Sequence, residues 1–192
     1  MSHQYSISER FNMESQKKRE TGIVQVYTGE GKGKTTAAWG LAMRAVGQGQ
    51  RVAIVQFMKT RHSGERIAAE RLKPLLYVTG ETSPYNACQN QSNSARCQEE
   101  SRRIFKKATE LLISGEWDVV ILDEINVVLY YKYITREEMM HLLAMRRPET
   151  ELILTGRGAP DWLIAAADLV TEMREIKHPA KRGLKARQGI EY

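Results

Sequence analysis

Cysteine is scarce in this chain: Cys88 and Cys97 are the two present in 192 residues. Their spacing matches no paired metal-ligand pattern, which argues against a zinc site, and the expectation is free thiols in a reducing compartment. There is no apolar run of about 18 residues, so no membrane-spanning helix is expected. The N-terminal stretch lacks the apolar segment of a secretory signal, and Glu9, Glu14 and Glu20 argue against a transit peptide. Arginine-rich runs interleaved with aromatics, a mark of nucleic-acid binding, are also missing. No internal repeat is evident. These absences leave a cytoplasmic protein with neither nucleic-acid nor membrane partners.

What is there is moderately basic, with formal net charge +6 and an isoelectric point near 9.3. Such an excess suits a protein that handles a polyanionic nucleotide. The decisive stretch is Thr28-Gly29-Glu30-Gly31-Lys32-Gly33-Lys34-Thr35-Thr36, placed between the apolar run 23–27 and the helix-forming run 37–43. Strand, glycine loop and helix in succession form a phosphate cradle: backbone N–H groups point at phosphate oxygens and the helix adds its positive dipole end. Lys34 reaches further phosphate oxygens as a point charge, and the Thr35 hydroxyl is a candidate magnesium ligand. The loop is a shortened variant. Only Glu30, Gly31 and Lys32 separate Gly29 from Gly33, one fewer than the usual pattern, so the first position of that pattern falls on Thr28.

Strands are expected at about 23–28, 51–57, 75–79, 118–123, 151–155 and 168–172. Helices are expected at about 34–47, 64–72, 96–114, 135–146 and 160–166. Continuous apolar runs such as Val119-Val120-Ile121-Leu122 suit a parallel sheet covered on both faces. The fold class is therefore α/β, a phosphate-loop parallel sheet of about six strands flanked by helices. Residues 1–21 form an arm, either a tail or a weak helix docked on the body, and residues 22–192 form the domain. Residues 80–97 read as one long irregular stretch.

A second site element is Asp123-Glu124, at the end of the buried run Trp117 to Leu122. In a phosphate-loop fold a carboxylate there meets the metal, directly or through water, so Asp123 and Glu124 join Thr35 as candidate ligands. Glu124 is also placed near the transferring group. Thr155 and Arg157, in Thr155-Gly156-Arg157-Gly158 at the end of the fifth strand, are placed for phosphate or base contacts. His178 lies in a basic C-terminal segment; one histidine makes no metal site.

Together with Val55-Gln56-Phe57-Met58-Lys59, Gly64-Glu65-Arg66, Lys177-His178-Pro179 and Gly189-Ile190-Glu191-Tyr192, these motifs resemble the ATP:corrinoid adenosyltransferases of the CobA/BtuR type over about residues 22–192. The resemblance implies a RecA-like fold, a homodimer, and ATP as co-substrate with magnesium or manganese. It also implies a corrinoid substrate kept reduced by an electron donor such as a flavoprotein, in adenosylcobalamin biosynthesis or salvage. The implied reaction is attack of cobalt(I) on the 5′ carbon of ATP with departure of triphosphate, the nucleotide lying reversed in its loop as the resemblance implies. Lys34 and Glu124 are then the catalytic candidates, and residues 28–36 with Arg157 hold the nucleotide. One departure stands out. The family's Gly-Phe-Thr-Trp is replaced by Gly80-Glu81-Thr82-Ser83-Pro84-Tyr85, leaving Tyr85 as the candidate ring on the corrinoid side. An ordinary phosphate-loop ATPase or small-molecule kinase, and a nucleotide-responsive binding protein, are the alternatives.

Overall fold

A computed structural model describes residues 21–58, 64–72, 75–79 and 91–190. Strands β1 (Val24–Thr28), β2 (Val52–Gln56), β3 (Leu75–Thr79), β4 (Val119–Asp123), β5 (Glu151–Thr155) and β6 (Leu169–Glu172) form one sheet in the order β3-β2-β4-β5-β1-β6. Every pairing is parallel. The helices are α1 (Lys34–Gly47), α2 (Gly64–Arg71), α3 (Gln91–Ser114), α4 (Ile125–Tyr130), α5 (Arg136–Met145) and α6 (Asp161–Ala166), followed by a 3-10 turn at Pro179–Arg182.

Alternation along the strands divides the core into two layers. Val52 and Ile54 of β2, Val119 and Ile121 of β4, and Ile153 of β5 pack under Ala38, Trp39 and Ala42 of α1. Their neighbours Ala53, Val55, Val120, Leu122, Leu152 and Leu154 face α3 to α6 on the other side. Because successive side chains point to opposite faces, a strand covered twice must be apolar throughout, which is why these runs do not alternate. Each fully buried isoleucine, Ile54, Ile121 and Ile153 among them, contributes about 1.5–3 kcal/mol. At the N-terminal ends of the strands, acids accept backbone N–H groups: Asp168 from Val24 at 2.8 Å, Glu151 from Ile23 at 2.9 Å, and Asp118 from Arg51 at 2.8 Å.

Three expectations change. Helix α4 follows β4 directly, where the run Ile125-Asn126-Val127-Val128-Leu129 carried no helical signal. All five residues, Asn126 included, are buried, and a segment buried on every side shows no amphipathic period. Helix α3 begins at Gln91, about five residues before the expected start near 96, so residues 91–95, read as loop, are helical. Cys97 is buried and disulfide-bonded instead of free; Cys88 lies outside the described residues. The edge strand β6 also differs from the covered strands, with all four of its residues exposed.

Helix α5 starts with a capping box. The Thr135 hydroxyl accepts from the Glu138 N–H at 3.2 Å, and the Glu138 carboxylate accepts from the Thr135 N–H at 2.7 Å. Thr135→Ala is expected to lower stability by about 1 kcal/mol, read as a shift of the urea midpoint. The Thr135 backbone N–H, against the opposing effect of burial and helped by Arg102, holds the Glu138 carboxyl below the usual glutamate range. A depressed folded value stabilises above the unfolded-state pKa of about 4.3 and is lost as pH falls through the folded one. The stability gap between wild type and Glu138→Gln at neutral pH should therefore close on acidification, and a gap unchanged at low pH would contradict this origin.

Candidate active site

The chain leaves the sheet in two directions at its C-terminal edge. β1 leads into α1 on one face, while β4 and β5 lead into α4 and α6 on the other. In open parallel sheets ligands bind at such a switch point. A cleft of about 590 Å³ opens there, lined by the glycine loop, Trp39, Glu124, Arg157 and Ile190. That volume suits a nucleotide.

The loop needs its glycines for two reasons. Gly29 and Gly33 have φ of 94° and 123°, a region that side chains rarely adopt. A Cβ at Gly29 or Gly31 would also meet the Met173 carbonyl oxygen, at 2.5 and 2.6 Å. The segment after β6 therefore presses on the back of the loop, and the Gly31 N–H donates to Met173 at 2.6 Å instead of facing a phosphate. Thr28 is buried, its hydroxyl accepting from the Ala159 N–H at 3.2 Å. Lys34 is 7% exposed and donates to the carbonyl oxygens of Gly29 and Gly31, both at 2.6 Å. Burial pulls its ammonium below the ordinary lysine range; Glu124 opposes this, Arg157 adds to it, and Glu30 and Asp123 oppose it.

Behind the loop, Asp123 is 1% exposed and its carboxylate bonds to side chains of other elements. Oδ1 accepts from the hydroxyls of Thr35 at 2.9 Å and Thr155 at 2.6 Å, and Oδ2 accepts from the Gln56 amide at 2.5 Å. Gln56 in turn accepts from the Tyr77 hydroxyl. A buried carboxylate needs such partners, because an uncompensated charge out of water is costly. Thr155 Oγ1 also accepts the Glu124 N–H at 3.0 Å. Glu124 itself has φ of 66°, left-handed and unusual for a side chain of this size, and it lines the cleft. Strain of this kind persists where the surroundings enforce it.

Of the residues singled out by sequence, Glu30 to Thr36, Glu124 and Arg157 all border the cleft. Asp123 does not; it stands behind Thr35 and orients it. Arg157 reaches across to Glu30, 3.1 Å away, and both side chains are more than half exposed. Lys32 lies 3.4 Å from the Ile190 carbonyl, which with Gly189 forms part of the cleft wall. His178 borders the cleft, but its Nδ1 accepts the Ala180 N–H at 3.2 Å and caps the 3-10 turn. Tyr85 and the arm's residues 1–20 lie outside the described residues. Two residues had no assigned role from sequence, Gln56 and Tyr77. The one available signal was a glutamine inside an otherwise apolar strand, which must find buried partners.

The family model described as ATP:corrinoid adenosyltransferase BtuR/CobO/CobP matches residues 20–192. The chain belongs to the ATP:corrinoid adenosyltransferase family. Among its relatives, the corrinoid adenosyltransferase of Escherichia coli (strain K12) is 38% identical over 179 residues, 93% of this chain and 89% of that protein. The corrinoid adenosyltransferase CobA of Salmonella typhimurium is 36% identical over the same shares. A corrinoid adenosyltransferase from Sinorhizobium sp. is 39% identical over 178 residues, 90% of this chain and 81% of that protein. The family assignment agrees with the parallel sheet, the glycine loop and the cleft. As expected from sequence, the adenosyltransferase is an α/β enzyme; among the described residues no helix is long and apolar enough to cross a membrane.

In this adenosyltransferase the exposed Glu30–Arg157 pair lies across the cleft mouth. An exposed pair contributes only about 0.2–1 kcal/mol, so if Arg157 contacts a triphosphate, as expected from sequence, it would leave Glu30 at small cost. Glu30→Gln should then tighten ATP binding by about 2- to 5-fold, measured by calorimetric titration. In an Arg157→Gln background the same change should give no gain. A gain of equal size there would mean that Glu30 repels the phosphates directly, without competing for Arg157.

Proposed function

We propose that this enzyme transfers the 5′-deoxyadenosyl group of ATP to the cobalt(I) of a corrinoid, releasing triphosphate. The observation that carries this reading is the shortened glycine loop with Lys34 beneath it, in a chain of this family. Cobalt(I) supplies the electron pair that forms the cobalt–carbon bond, and the C5′–O bond breaks with its pair departing on the triphosphate. Cobalt ends formally as cobalt(III). No protein nucleophile is needed, which fits the absence of a Ser-His or Cys-His pair among the described cleft residues. The protein holds C5′ in line and stabilises charge on the leaving group. Lys34 must exchange its two carbonyl partners for phosphate oxygens, while Lys32 and Arg157 add positive charge at the mouth.

Magnesium or manganese is a fitting companion to the nucleotide. The cleft offers oxygen donors, the Thr35 hydroxyl and the Glu124 carboxylate, and the described residues hold no cluster of three or more metal-binding side chains. One or two protein oxygens, with phosphates and water completing the shell, is the usual magnesium arrangement. Such an ion would supply charge neutralisation of the triphosphate as it leaves. Asp123 is assigned to holding Thr35, whose hydroxyl donates to it, and not to the ion itself. On the corrinoid side Tyr85 is the candidate ring. Corrinoid reduction by a flavoprotein, a homodimer and a cytoplasmic location complete the proposal.

Product analysis tests it. With magnesium-ATP and chemically reduced corrinoid, inorganic triphosphate and a light-sensitive alkylcobalt product are expected in equal amounts; ADP would point to a kinase or ATPase instead. Lys34→Ala should lower kcat/KM by at least about 100-fold, and unchanged kcat and KM would remove this lysine from the mechanism.

A further inference from the structure

We infer that Tyr77 and Gln56 are positioning residues for this reaction, acting through Asp123 to make the Thr35 hydroxyl present lone pairs, and not its proton, to the ion on the nucleotide. The inference rests on the proposed role of Thr35 and extends it to two residues outside the cleft.

Hydrogen-bond polarity carries it. Gln56 is fully buried, and an amide of this shape fits its site in either of two orientations. With the carbonyl toward Asp123, two acceptors would face each other in a dry interior, an unsatisfied contact of high cost. The acceptor-only carboxylate therefore selects the other orientation, with the amide N–H on Asp123 Oδ2, and the Tyr77 hydroxyl supplies the donor that the inward-turned Gln56 Oε1 then needs. The carboxylate is then oriented, and Oδ1 takes the hydroxyl protons of both Thr35 and Thr155. A threonine hydroxyl has one proton and two lone pairs. With that proton committed to Asp123, Thr35 has only acceptor character to offer the cleft, which suits a cation and not a phosphate oxygen. Thr155 uses its remaining capacity to accept the Glu124 N–H. One polarity therefore runs from β3 through β2 and β4 to both groups assigned to the ion. The Tyr77 ring is placed by Trp39, a cleft-lining residue whose ring centre is 5.8 Å away.

The test is equilibrium binding of ATP with and without magnesium, the readout being the ratio of the two dissociation constants. Tyr77→Phe keeps the ring and removes the donor; Gln56→Met keeps the volume and removes the amide. Tyr77→Phe should reduce the magnesium-dependent gain by about 3- to 10-fold, in line with the loss of one buried hydrogen bond, and Gln56→Met by more. Metal-free ATP affinity should stay within about twofold, because the loop amides and Lys34 are untouched. Thr35→Ala is the control. If it leaves the ratio unchanged, the proposed role of Thr35 fails. If Thr35→Ala lowers the ratio but folded Tyr77→Phe does not, the inference on Tyr77 and Gln56 alone is overturned. A parallel loss of metal-free affinity and melting temperature in Tyr77→Phe would overturn it as well, by showing a merely structural role. Should Gln56→Met fail to fold, Tyr77→Phe still decides.

Discussion

The Asp123 carboxylate is the constraint on which the rest of the site depends. It stands at the C-terminal end of β4, in the middle of the sheet, and ties together β2 through Gln56, α1 through Thr35, and β5 through Thr155. A charge this deeply buried is tolerable because each oxygen is bonded. Removing any one partner leaves the remainder exposed to that cost, so three elements are held in register by a single group. The same arrangement sets the backbone of Glu124, whose N–H is anchored on Thr155.

Around this anchor the fold sorts charge by position. Asp118, Glu151 and Asp168 sit at the N-terminal ends of the strands and are used there as backbone acceptors. Lys32, Lys34 and Arg157 are left at the other end, where the glycine loop opens. The loop's shape is imposed from behind. Met173 and its carbonyl leave no room for a side chain at Gly29 or Gly31, so edge strand β6, though exposed, fixes how closely the cradle can be drawn under the sheet.

Much of this was legible in the sequence because it was local. Residues 28–36 lie in one stretch whose chemistry and flanking pattern reinforce each other, and the six strands were announced by short apolar runs. Helix α4 was not legible: Ile125 to Leu129 is short, rich in β-branched residues and buried on every side, Asn126 included, so it carries no amphipathic stripe. The start of α3 was hidden differently, since Gln91, Ser92, Asn93 and Ser94 favour turns and carry no apolar stripe. The division of labour between Asp123 and Glu124 was also beyond reach. Adjacent acids at a strand end look alike, and alternation sends one inward against Gln56 and the other to the cleft.

Lys34, folded back onto the carbonyls of Gly29 and Gly31, sets an admission threshold. A small inorganic anion reaching the loop would have to detach an ammonium that is already satisfied, while offering only a few oxygens in exchange. A longer polyanion replaces both lost bonds and engages the cleft mouth at the same time. On the proposed reading the loop would discriminate by chain length, with orthophosphate a poor competitor for it.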